Sequence, residues 1–144
     1  MVTYPLLSWF LDRPEYYRLL NAVRLEGAWD QWVAFYLEGI STIADEAATT
    51  ARELFLLVNK DRARVLEARN SSVTAARLLE LLPRRPMVTI PAIVKLLKTT
   101  KPTAAKAVGV LERLGILEET AGRRRDRTYG YTSYLDLLRI GTEL

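Results

Sequence analysis

The sequence predicts a mainly α-helical chain, with a region built around one long helix followed by short helices and a small β-hairpin. Three observations carry this reading. From Trp29 a run of apolar residues recurs at alternating steps of four and three into the fifties. Beyond Asn70 the apolar segments shorten, with N-cap chemistry in Asn70-Ser71-Ser72, a capping Thr89 and a turn and helix start at Thr99-Thr100-Lys101-Pro102. Near the C-terminus two strand-like runs flank an arginine-rich turn.

The elements follow in order. After the apolar stretch Pro5 to Leu11, Pro14 opens a helix in which Tyr16, Leu19, Leu20 and Val23 share a face, and Gly27 ends it. The long helix carries the seam Trp32, Tyr36, Ile40, Ile43, Ala47, Thr50, Leu54 and Leu57. Continued to Arg69, it would be roughly 60 Å long at 1.5 Å per residue. So small a chain cannot cover such a helix, which is expected to meet a second copy or a missing segment. Trp9, Trp29, Trp32, Tyr16, Tyr17, Phe35 and Tyr36 are expected to be core aromatics. Asn70-Ser71-Ser72 is a polar break and divides the sequence into regions 1–70 and 71–144.

The second region reads as a helix from Val73 to Leu82 and one capped by Thr89, with Ile93, Leu96 and Leu97 inward and Lys95 and Lys98 outward. A third helix starts at Thr99-Thr100-Lys101-Pro102 and stops at Gly115. Ile116 to Thr120 and Arg127 to Tyr131 are the strand-like runs, and Tyr134 to Ile140 is a last helix. Three helices followed by a hairpin with a basic tip is the order of a winged helix-turn-helix.

Composition excludes much chemistry. The 144 residues contain neither Cys nor His, which removes disulfides, thiolate nucleophiles, imidazole bases and ordinary zinc sites. No catalytic residue, metal site or cofactor is expected; Asp45-Glu46 and Glu118-Glu119 are adjacent pairs, too close in sequence for an acid–base couple. No P-loop motif, secretory signal or bilayer-spanning run is present, which reads as a cytoplasmic protein away from membranes. Charge is unevenly spread. Residues 1–70 carry eight basic and ten acidic side chains, whereas residues 71–144 carry thirteen basic and seven acidic. A polyanionic partner is therefore sought in the second region, and DNA is the one expected.

On a helical wheel the third short helix of that region gathers Ala104, Ala107, Val108, Leu111 and Leu114 on one side. Thr103, Lys106, Val110 and Arg113 gather opposite, with Thr99, Thr100 and Lys101 at the helix start where base edges are read. The helix N-terminus would add free N–H groups for a phosphate. Arg123, Arg124, Arg125 and Arg127, interrupted only by Asp126, would anchor a wing on phosphates or in a narrow minor groove.

Pro14-Glu15-Tyr16-Tyr17-Arg18-Leu19-Leu20, then Val23-Arg24-Leu25-Glu26-Gly27-Ala28-Trp29-Asp30-Gln31-Trp32 and Phe35-Tyr36-Leu37-Glu38-Gly39-Ile40, resemble the Fic/DOC family downstream of its active site. Pro102 to Ala107, Leu111, Gly115-Ile116-Leu117 and Thr120 to Arg127 are similar to the winged helix that often follows such domains. The resemblance implies a parent that transfers AMP from a nucleotide to protein hydroxyls. The family's His-Pro-Phe signature is missing here, and its catalytic base is a His this chain does not have. The implied reading is a non-catalytic, DNA-binding C-terminal region whose catalytic partner lies upstream. The alternative is a dimerisation or protein-docking module regulating the Fic domain, with the long helix pairing across a dimer and the wing contacting protein.

Overall fold

The computed structural model describes residues 14–120 and 127–140. The chain is mainly helical, with a small three-stranded antiparallel sheet. It divides into two compact units, Met1–Arg52 with Leu138–Leu144, and Glu53–Leu137.

In the first unit, helix α1 spans Pro14–Glu26. Pro14 supplies a fixed φ at the start, where its missing N–H is no loss. Gly27 takes a left-handed φ of +68° and donates its N–H to the Val23 carbonyl at 3.1 Å, closing the helix. Helix α2 then runs unbroken over Trp29–Glu67. Leu19 of α1 and Phe35 of α2 are buried, and Tyr16 meets Trp32 edge-to-face with ring centroids 5.3 Å apart. The expected aromatic core is smaller than the sequence implied, because Tyr17, Trp29 and Tyr36 are exposed. Trp9 lies outside the described residues.

The expected seam on α2 is split. Trp32, Ile43, Thr50, Leu54 and Leu57 are half-buried, while Tyr36, Ile40 and Ala47 are exposed. A straight helix drifts about 20° per heptad, so a seam drawn at 3.5 residues per turn does not follow one face.

The second unit holds the principal core. Helix α3 is Val73–Leu81, strand β1 Met87–Thr89, helix α4 Ile90–Leu97 and helix α5 Lys101–Arg113. Strands β2, Glu118–Glu119, and β3, Thr128–Gly130, precede helix α6, Thr132–Ile140. The sheet order is β1-β3-β2, with Val88 opposite Tyr129 and Glu119 opposite Tyr129 on the other side. Nothing in the sequence predicts the strand at Met87–Thr89, whose three residues are too few to show alternation.

Ser72 caps α3 by accepting the Ala75 N–H at 3.1 Å, and Thr89 caps α4 by accepting that of Ala92 at 3.3 Å. Val65 from the end of α2, Leu78 and Leu79 of α3, Ile93 of α4 and Val108 and Leu111 of α5 meet in one buried cluster with Ile116, Leu117 and Tyr131. Leu96, expected inside, is exposed, and Val94 packs on the core instead. At the end of α5, Gly115 takes φ +67°, and Ile116 donates to the Leu111 carbonyl at 2.9 Å. Both side chains are buried, so this helix stop also seats a hydrophobic contact. Among the described residues no helix is long and apolar enough to cross a membrane.

Candidate nucleic-acid interface

Helix α5 presents two faces. Ala104, Ala107, Val108, Val110 and Leu111 are buried, and α3 and α4 pack against the helix. Lys101, Lys106, Glu112 and Arg113 are exposed. Val110 is a correction to the wheel, which placed it outward. It stands at the margin of the apolar stripe and only 5% of it is exposed, so it belongs to the core.

The start of α5 is organised by its own cap. The Thr100 hydroxyl lies 2.9 Å from that of Thr103 and accepts the Thr103 N–H. The Thr100 carbonyl accepts the Ala104 N–H at 2.9 Å, and Pro102 has no N–H to offer. The expected cluster of free amide groups is thus reduced to those of Thr100 and Lys101.

Between α4 and α5, Lys98 occupies the left-handed region at φ 50°, ψ 51°, and Thr99 donates its N–H to the Val94 carbonyl at 3.1 Å. The tight turn is made without the glycine that such a conformation favours. Lys98 keeps its side chain in solvent, while Thr99 is half-buried.

The electrostatics of this stretch are one-sided. Residues 84–113 contain seven basic side chains, Arg84, Arg85, Lys95, Lys98, Lys101, Lys106 and Arg113, against the single acid Glu112. All seven are exposed, and none has an ion-pair partner among the described residues. Arg127 differs: it is paired with Glu119 across the hairpin at 3.4 Å. The pair is mostly solvent-exposed and worth at most about 1 kcal/mol, so a phosphate could displace the carboxylate. Arg123, Arg124 and Arg125 lie outside the described residues. Among the described residues no group of acidic side chains is placed to hold a metal ion.

One polar cluster escaped the sequence reading. Asp61 of α2 is buried among the core residues and accepts a 2.6 Å hydrogen bond from the Tyr131 hydroxyl. Arg64 donates to the other Asp61 oxygen at 2.9 Å and also to the carbonyl of Leu114, the C-cap of α5. Tyr131 is fully buried, stacks on Tyr134 at 5.4 Å, and has its phenol pKa pushed upward by burial and by Asp61. Asp61 and Tyr131 are seventy positions apart, and no local spacing announces the pair. Arg62 also grips both oxygens of Glu80 on α3, at 2.6 and 2.9 Å, which holds the Glu80 carboxyl below the usual carboxylate range. These groups fix the scaffold that carries α5 and the hairpin. No protein-family model and no curated protein matches the chain.

Proposed function

We propose that the second region is a winged helix-turn-helix that binds duplex DNA, with α4 and α5 as the helix-turn-helix pair. In this reading α5 enters the major groove, and Lys101, Thr103, Lys106 and Arg113 present charge and hydroxyls there. Thr99 and Thr100 hold the turn and the helix start. Arg123, Arg124, Arg125 and Arg127 form the wing. The region before Asn70 is the C-terminal part of a Fic-type domain, the chain is non-catalytic and cytoplasmic, and any AMP transfer belongs to residues upstream.

The observation that carries this reading is the run of seven exposed cations without ion-pair partners over residues 84–113, three of them on α5. The order helix, strand, helix, helix, strand, strand, with sheet order β1-β3-β2, supports it. The test is titration of a labelled duplex from low to high salt. Affinity should fall steeply as salt rises, and Lys101→Ala/Lys106→Ala and Arg123→Ala/Arg124→Ala/Arg125→Ala should each flatten that slope. Equal weak binding by wild type and both variants would overturn the reading.

A second reading, self-association through α2, is favoured by Trp29, Val33, Leu37 and Ile40, four apolar residues at helical spacing that are all exposed. Sedimentation across a concentration series decides it. A strict monomer at high concentration would remove it.

A further inference from the structure

We propose that the second unit has a separate docking groove for an acidic amphipathic helix of a partner protein. The groove measures about 660 Å³ and is largely open to solvent. Its apolar surface comes from Leu66 at the end of α2, Val73, Ala76 and Leu81 of α3, and Leu97 of α4. Leu66 is 68% exposed and Val73 79% exposed, an arrangement that leaves apolar area uncovered in a unit whose other large side chains are mostly inward.

The rim settles the charge of the occupant. Arg77 and Arg84 line the groove, both are exposed, and neither has an ion-pair partner among the described residues. The one acid on the rim, Glu80, is already held on both oxygens by Arg62. An apolar floor under two uncompensated guanidinium groups therefore complements a helix with apolar residues at i, i+3, i+4 and i+7 flanked by carboxylates. A small apolar carboxylate matches the charge but not the shape, because small-ligand sites bury most of the ligand and this groove stays open. A second copy would have to bring an acidic helical face of its own. Of the seven cations that carry the DNA reading, Arg84 alone lines the groove; Lys101, Thr103, Lys106 and Arg113 lie outside it.

The test uses the full chain and two fluorescein-labelled peptides of about 18 residues, long enough to be helical. Both carry Leu at i, i+3, i+4 and i+7; one has Glu flanks and the other Lys flanks. Saturable anisotropy change is expected with the Glu peptide, at least about tenfold weaker with the Lys peptide, and weakening with salt. Arg77→Glu/Arg84→Glu should lower affinity for the Glu peptide at least about tenfold. Val73→Asp should do the same while keeping the fold, since an acid at the first turn of α3 suits the helix dipole. Absence of binding by the Glu peptide, equal affinity for both peptides, or variants that bind like wild type would overturn the proposal. So would displacement of the Glu peptide by decanoate with full competition, which assigns the groove to small carboxylates. Concentration-dependent self-association that both variants abolish would overturn it in favour of a second copy.

Discussion

Tyr131 joins burial to pH. Its hydroxyl is enclosed and hydrogen-bonded to Asp61, so ionisation would place a charge in a dry site beside an acidic group. The folded pKa therefore lies above the ordinary value of 10.0. A raised pKa means that this stabilisation is complete below pH 10 and is lost as pH rises beyond it, by up to about 1.4 kcal/mol per pH unit. Thermal melts from pH 9 to 11 should show a steeper loss for wild type than for Tyr131→Phe. At neutral pH the same variant should cost about 1–2 kcal/mol, because it removes one of Asp61's two donors. Lys98 offers the opposite case. Its left-handed backbone costs roughly 1 kcal/mol with a side chain and nearly nothing without one. Lys98→Gly should raise stability by about 0.5–1 kcal/mol in urea titrations, and Lys98→Val should lower it by a similar amount.

At the scale of elements, the caps were readable and the pairings were not. Ser72, Thr89 and Thr100 act within three residues of themselves, and Gly27 and Gly115 stop helices by their own backbone freedom. Such signals are local, so sequence carries them whole. Strand β1 exists because β3 lies beside it, with Met87 opposite Gly130 and Thr89 opposite Thr128. Its partner is some forty positions away, beyond any window of periodicity. The face of α5 was legible except at its margin, where Val110 is covered by tertiary packing that a wheel does not represent. The cap on α5 also separates two roles that sequence merges. Thr100→Ala should cost about 1 kcal/mol in stability, and Thr100→Asn should restore it. Duplex affinity measured well below the melting temperature should change little in either, whereas Lys106→Ala should weaken it with stability unchanged.

For the whole molecule, the basic character of the second region is visible in composition alone, but the exposure of particular apolar residues is not. Neither Leu66 nor Val73 is unusual in a helical sequence; their exposure appears only once α3 and α4 are seen to leave them uncovered. The acid–phenol contact between Asp61 and Tyr131 has a practical bearing on how the gene can be cut. A fragment of residues 71–144 begins at the polar break, yet it discards Asp61 and the fully buried Val65 and strands the Tyr131 hydroxyl. The combined loss, about 5 kcal/mol, is comparable with the whole stability of a small domain. Circular-dichroism melts should find that fragment without a cooperative transition, and a fragment of residues 53–144 with one. The last turns of the long helix thus serve the second unit as a built-in splint, carried in the neighbouring stretch of the gene.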